Sequence, residues 1–208
     1  MYGIAHKSTI TLTENLSPVS KQALRDKPFR YFDHAEVKSV ATSPFFKAHT
    51  NRTEDHDRQA GEATVPSPSG GYLVKSTVGP GLAEQWPAKY PFLGKVFVLI
   101  DGGTFSTAAD FSAVVQHLKR ATFIGEETGG GHFGNNSGAA AKVTLPNSKL
   151  VVWLQLVEYW TAVQGDDNNR RGTISNYVIK TTISDLLRGV DRQLDYALKL
   201  ADTSTASN

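Results

Sequence analysis

The 208-residue chain contains no cysteine, and this absence excludes three kinds of chemistry. Without thiols there is no disulfide framework, no thiolate metal site and no cysteine nucleophile. Because proteins of any compartment can lack cysteine, the absence does not locate the protein.

Long apolar runs and strong charge are also missing. No stretch approaches the roughly 18 apolar residues of a membrane span. The start, "MYGIAHKSTITLTENLS", has no charged segment followed by an apolar block, so no signal peptide is predicted and the compartment stays open between cytoplasmic and extracytoplasmic. The net charge of +2, without a Lys/Arg run between aromatics, gives no indication of a nucleic-acid partner.

What remains is the composition of one ordinary globular domain, with 39% hydrophobic and 20% charged residues. The clearest pattern is "KVFVLIDGGTFSTAADFSAVVQHLKRATFIGEETGGG", from Lys95 to Gly131. An apolar run predicts a buried strand, and "ATFIGEE" predicts a second one. Between them, Phe111, Val114, Val115 and Leu118 predict the buried face of a helix. A strand–helix–strand unit implies a parallel pair with a right-handed crossover, and so an α/β or α+β fold.

Weaker patterns place the rest of the chain. A strand is predicted near residues 31–40, and "AAKVTLP" with "LVVWLQLVEYW" predicts a hairpin or ribbon. "NYVIK" predicts a last short strand. Asp191 is expected to cap a final helix with Leu194, Ala197, Leu198 and Ala201 on one face. We expect a divergent segment at 1–22, a single core at 23–201 with a long irregular excursion at about 41–71, and a tail at 202–208.

Ser106 stands where the first strand gives way to the helix. One interpretation is a plain helix cap, and Thr107 with Asp110 fits a capping box just after it. The other is a nucleophile, because a helix N-terminus supplies unpaired N–H groups that would stabilise an oxyanion. Gly102 and Gly103 would let the backbone turn tightly and admit a substrate.

A nucleophilic serine needs a base. His117 lies eleven residues further along the same helix, about 16 Å away at 1.5 Å per residue, so it cannot reach Ser106. His132 follows the second strand, and parallel neighbours end on the same side of a sheet. His132 is therefore the candidate base, the alternative being an exposed loop histidine. The glycine run before it lacks the Lys-Ser/Thr of a phosphate loop, and neither a nucleotide, another cofactor nor a metal is expected.

Three segments of the chain resemble the serine peptidases of family S41, which include the C-terminal processing (tail-specific) proteases and the tricorn core protease. "DGGTFS" with "KRATFIGEETGGG" is similar to the second half of their catalytic domain, particularly in bacterial members. "RRGTISNYVIKTTISDLLRGVDRQLDYALKL" is similar to their C-terminal segment, and "DKPFRYFDHAEVKS" to a segment upstream. The resemblance covers about residues 20–201.

The resemblance implies a ClpP/crotonase-like β-α-β superhelix, with Ser106 as nucleophile and the Thr107 N–H as an oxyanion donor. Where the processing proteases carry a lysine base, this chain has Gly131. The family's "DLR-NGGG" segment has no counterpart, and its "PDY" is Ser175-Asn176-Tyr177. Glycines expected to border the oxyanion or substrate are Gly102, Gly103, Gly130 and Gly131.

The function predicted is a serine hydrolase of the S41 peptidase type, acting on peptides or small activated esters. Two alternatives stay open. The same fold could serve as a non-catalytic module that binds a lipophilic ligand or a peptide. The chain could also be an inactive truncated remnant whose core is completed by homo-oligomerisation.

Overall fold

The computed structural model describes residues 28–37, 61–136, 140–163, 165 and 170–203. The chain divides into two compact units. Unit 1 takes in Met1–Pro28, Trp86–His132 and Gly165–Asn208, and unit 2 takes in Phe29–Gln85 and Phe133–Gln164. The predicted boundary at residue 22 lies outside the described residues, and the division 1–22, 23–201 and 202–208 stays a prediction.

The described elements include short strands, three α-helices and a 3₁₀ helix at Pro80–Leu82. The strands are β1 (Phe32–Val37), β2 (Thr64–Pro66), β3 (Tyr72–Val74), β4 (Phe97–Ile100), β5 (Thr122–Gly125), β6 (Gly134–Asn135), β7 (Ala140–Thr144), β8 (Val151–Gln155), β9 (Val157–Thr161) and β10 (Tyr177–Val178). The helices are α1 (Thr107–His117), α2 (Ile183–Arg188) and α3 (Arg192–Thr203). None of the helices described is both long enough and apolar enough to cross a membrane. The mixed α/β class predicted from the sequence is confirmed.

Unit 1 is built on a parallel three-stranded sheet in the order β10-β5-β4. Leu99 of β4 pairs with Ile124 of β5, and Tyr177 of β10 pairs with Ile124 from the other side. Phe123 and Ile124 are fully buried. The predicted strand–helix–strand unit and the last short strand are therefore present, and both β4 and β5 carry their loops at the same edge of the sheet.

The buried face of α1 differs from the one predicted. Phe111 and Leu118 are exposed, whereas Ala109 and Ala113 are buried together with Val114. Close approach of the backbone explains the difference, because a Cβ at Gly130 would lie 2.5 Å from the Cβ of Ala109. Only small side chains fit between the helix and the chain beneath it, so the largest apolar residues turn outward.

The final helix begins as predicted. The Asp191 carboxylate accepts a hydrogen bond from the Leu194 N–H at 2.9 Å, which satisfies one free N–H of α3. Ala197 and Ala201 are buried, whereas Leu198, predicted on the same face, is exposed. The helix continues to Thr203, past the predicted start of the tail.

Unit 2 contains a five-stranded sheet in the order β2-β3-β1-β9-β6 and the β7–β8 hairpin. The pairing of β7 with β8 confirms the predicted hairpin. The long apolar segment "LVVWLQLVEYW" does not stay in one sheet, because Leu156 separates β8 from β9. The buried residues of this core are Ala35, Leu82, Ala141, Val143, Leu156 and Val157.

The predicted excursion at 41–71 is only partly within the described residues, because 38–60 lie outside them. In the described part the irregular interpretation is wrong for β2, which pairs antiparallel with β3. The turn between them contains Gly70 and Gly71, both at positive φ. The Ser- and Gly-rich composition that suggested a loop is therefore that of a hairpin turn.

Candidate active site

The turn between β4 and α1 is held by its own polar groups. The Asp101 N–H donates to the Thr104 hydroxyl at 3.1 Å, and the Thr104 N–H donates to the Asp101 carbonyl at 2.9 Å. The Asp101 carboxylate accepts from the Gly103 N–H at 2.8 Å. These three bonds close the turn without using any group of Ser106.

Ser106 is the N-cap residue of α1, with φ 51° and ψ −131°. A positive φ is costly for a residue with a Cβ, and such strain is concentrated at functional sites. The Ser106 side chain is exposed and makes no capping hydrogen bond. The plain-cap interpretation is therefore wrong for the hydroxyl. The predicted Thr107–Asp110 capping box is also wrong, because Thr107 is the first helical residue and Asp110 is buried inside the helix.

The N–H of Thr107 is the predicted oxyanion donor. The next two N–H groups are occupied, since Ala108 donates to Phe105 and Ala109 donates to Ser106, at 3.1 and 2.8 Å. Within the described part of the chain the Thr107 N–H has no acceptor, as expected at the first position of a helix. It is thus available beside Ser106 for a developing negative charge.

The glycine run after β5 packs directly under this turn. A Cβ at Gly130 would lie 3.3 Å from the Ser106 nitrogen, and the Gly130 N–H donates to the Thr104 carbonyl at 2.9 Å. The N–H groups of Gly130 and Gly103 are therefore used within the protein. A Cβ at Gly102, by contrast, would meet nothing within 4 Å beyond its chain neighbours, and Gly131 forms a β-bridge with Gly172.

His132 is fully buried, so its alternative interpretation as an exposed loop histidine is wrong. Its ring Nδ1 lies 2.9 Å from the Thr173 Oγ, and its backbone N–H donates to the Arg171 carbonyl at 2.9 Å. No hydrogen bond joins it to Ser106 within the described residues. The role of His132 as base stays a prediction.

Residues 127–130 and 171–173 form a hydrogen-bonded pair of segments that the sequence did not indicate. The Arg171 guanidinium donates to Glu127 at 2.6 and 3.2 Å, and the Gly172 N–H donates to the same carboxylate at 2.9 Å. The hydrogen bonds from Arg171 and then Gly172 lower the pKa of Glu127. The sequence shows only that Glu127 precedes Thr128 in "GEETGG" and that Arg171 lies two residues before Thr173 in "RRGTIS". The two threonines are 45 positions apart.

Ser175 and Asn176, which stand where the family carries "PDY", have structural partners. The Asn176 side chain accepts from the Phe123 N–H at 2.7 Å, and its own N–H donates to the Phe123 carbonyl at 2.8 Å. The Ser175 hydroxyl donates to the Gly125 carbonyl at 2.8 Å. Both residues therefore fasten β10 beside β5. Among the described residues no group of three or more His, Asp or Glu is placed to hold a metal ion.

Comparisons with known proteins identify the family of the chain. The model of peptidase family S41 matches residues 32–179. The chain is similar to the crystal structure of a "putative peptidase" from Parabacteroides merdae, at 18% identity and a TM-score of 0.44. That match covers 87% of this chain and 46% of the other, so the chain spans about half the length of that relative. No curated protein matches it significantly.

Proposed function

Because the chain belongs to peptidase family S41, we propose that it is a serine hydrolase whose nucleophile is Ser106. One observation carries the proposal. Ser106 is held at positive φ at the mouth of α1, exposed, with a hydroxyl that takes no part in capping the helix. A strained strand-to-helix turn that presents a serine hydroxyl is the arrangement that nucleophilic serines use in other hydrolases.

The reaction is acyl transfer. The Ser106 Oγ forms a bond to the carbonyl carbon while its proton passes to a base, and the carbonyl oxygen becomes an oxyanion. The Thr107 N–H, at the positive end of the helix dipole, donates to that oxyanion. Collapse expels the amine or alcohol, which takes up the proton. Water then attacks the acyl-enzyme in the same way and releases the acid.

His132 is the proposed base. Its place two residues after Gly130, which packs against the Ser106 nitrogen, keeps it in the same part of unit 1. The Thr173 hydroxyl on Nδ1 would accept the ring N–H and so leave Nε2 to take a proton, as an orienting group does in other triads.

The finer properties follow from the same proposal. We infer that peptides are the substrate class and that small activated esters are cleaved as well, since a good leaving group needs less help from a base. Unit 1 would form the start of a ClpP/crotonase-like superhelix, completed by further chain or by a second copy. Gly102 and Gly131 would border the substrate, beside Gly103 and Gly130.

A fluorophosphonate probe tests the nucleophile. We expect one covalent adduct, mapped by mass spectrometry to the peptide that contains Ser106, and none in Ser106→Ala. Ser148→Ala, at an exposed turn serine of unit 2, is the matched control and should label like the parent. Labelling elsewhere, or none together with clean binding of a lipophilic ligand or peptide, would favour a binding module instead.

The base is tested separately. His132→Gln should lower kcat for an activated ester by about 10²-fold or more, the usual contribution of general base catalysis. The control is His34→Gln, because His34 is a partly exposed histidine of unit 2, stacked on Trp160. An unchanged kcat in a folded His132→Gln would mean that His132 only supports its loop.

A further inference from the structure

Thr128 carries a hydroxyl that is used on both sides and almost completely buried. Its Oγ donates to the Gly130 carbonyl at 2.8 Å and accepts from the Thr173 N–H at 2.7 Å. Its own N–H donates to the Thr173 carbonyl at 3.1 Å. Thr128 is 4% exposed, so bulk solvent has little access to these bonds.

The first of these bonds restrains Gly130, the residue that packs against the turn carrying Ser106. The Gly130 carbonyl is held by the Thr128 Oγ, and its N–H is held by the Thr104 carbonyl. Rotation or withdrawal of Gly130 would break one or both of these hydrogen bonds. Since a Cβ at Gly130 would come within 3.3 Å of the Ser106 nitrogen, the position of Gly130 limits where the Ser106 backbone can move.

The second bond leads to the candidate base. Thr173 is fully buried, and its hydroxyl is the partner of the His132 Nδ1. The Thr128 hydroxyl receives the N–H of that same residue. A single oxygen therefore touches both the segment beneath the nucleophile and the segment that orients the histidine.

We propose that Thr128 is a positioning residue, whose hydroxyl holds Ser106 in its strained conformation and in register with the 171–173 segment. This inference rests on the proposed function of Ser106. A positive φ in a residue with a Cβ persists only where the surroundings over-determine it. The Thr128–Gly130–Thr104 series of bonds adds that restraint to the helix hydrogen bonds that the Ser106 carbonyl accepts, and the Ser106 hydroxyl makes no capping bond.

The experiment compares Thr128→Val, which keeps the shape and removes the hydroxyl, with Thr128→Ser, which keeps the hydroxyl. With an activated ester, Thr128→Val should lower kcat by about 10- to 100-fold and leave KM within about twofold, as displacements of about 1 Å do. Thr128→Ser should stay within about threefold of the parent. Thr144→Val, on an exposed strand position of β7, controls for the loss of a threonine hydroxyl.

Each other outcome has a definite meaning. Equal loss of activity in Thr128→Ser and Thr128→Val, or none in either, overturns the positioning role while fluorophosphonate labelling of the parent still supports Ser106. A parent that neither labels nor hydrolyses overturns both inferences. If Thr128→Val does not fold, Thr128→Ala replaces it with the same expected loss. If neither folds, the hydroxyl is needed for folding and the positioning role is overturned.

Discussion

Two helices of unit 1 begin at a hydroxyl residue, and the two hydroxyls are used in opposite ways. At the start of α2, Thr182 has extended φ and ψ. Its hydroxyl accepts from the Asp185 N–H, and its backbone N–H donates to the Asp185 carboxylate. Its hydroxyl also donates to that carboxylate at 2.6 Å. At the start of α1, Ser106 has a positive φ, and its hydroxyl makes no capping bond.

The difference shows what each residue contributes. Thr182 satisfies N–H groups that would otherwise be unpaired and so stabilises the helix. Ser106 leaves its helix uncapped and adds backbone strain, so it lowers stability in exchange for an exposed hydroxyl. A residue type that is common at helix starts is thus structural in one case and, in our proposal, chemical in the other.

The largest expected effect comes from removing the hydroxyl of Ser106. Ser106→Ala should lower kcat/KM by at least about 10³-fold, as loss of a nucleophile does in other hydrolases. Its free energy of unfolding should change by less than about 0.5 kcal/mol, because no capping bond is lost. Ester hydrolysis and denaturant unfolding measure the two effects. A loss of 1 kcal/mol or more would show that Ser106 caps the helix after all.

The reverse pattern is expected at Thr182. Thr182→Ala should reduce the free energy of unfolding by about 1 to 2 kcal/mol, the usual cost of losing a capping side chain. Activity at a temperature where the variant is folded should match the parent. Denaturant unfolding and ester hydrolysis on one preparation check both, and Thr182→Ser, which keeps the hydroxyl, is the control.

Glycine at position 106 separates strain from capping. Ser106→Gly should raise the free energy of unfolding by about 1 kcal/mol, because relief of about 1 to 3 kcal/mol of strain exceeds the entropic cost of glycine. Ser184→Gly, inside α2, is the matched control and should lose roughly 0.5 to 1 kcal/mol. Thermal unfolding measures both, and a destabilised Ser106→Gly would contradict the strained backbone.

The smallest effect concerns acid pH. Hydrogen bonds from Thr182, and then the neighbouring Arg192, hold the pKa of the Asp185 carboxyl well below its ordinary value of 3.8. A depressed pKa stabilises the folded chain above pH 3.8, and this contribution is lost as the pH falls towards the folded value. The stability difference between Thr182→Ala and the parent should therefore shrink below about pH 4. Urea unfolding at several pH values checks it, and a difference independent of pH would contradict it.

Local patterns predicted much of unit 1 correctly. The β4–α1–β5 unit, β10 and the Asp191 cap all follow from apolar runs and short-range capping chemistry, which a sequence shows directly. The position of Ser106 at the helix start follows for the same reason. The positive φ of Ser106 could not be predicted in this way, because it has no sequence signal and depends on the residues that pack around it.

The failures share a cause in tertiary contacts. Phe111 and Leu118 fit the period of a buried face, yet the close approach of Gly130 to Ala109 shifts the buried face, so that Val114 is the predicted residue that stays buried. The Thr128–Thr173 pairing joins residues 45 positions apart. The segment "LVVWLQLVEYW" is divided at Leu156 because β8 pairs with β7 whereas β9 joins the five-stranded sheet. Such pairing is not visible in the local pattern.

The positive φ of Ser106 also has an evolutionary consequence. The fold favours glycine at this position, and in our proposal the need for a nucleophilic hydroxyl opposes that preference. Where selection for the hydroxyl ends, glycine should be the replacement that accumulates, ahead of alanine or threonine. If Ser106 is the nucleophile, as we propose, descendants of this chain that keep the fold but lose hydrolysis should be recognisable by a glycine between "DGGTF" and the helix.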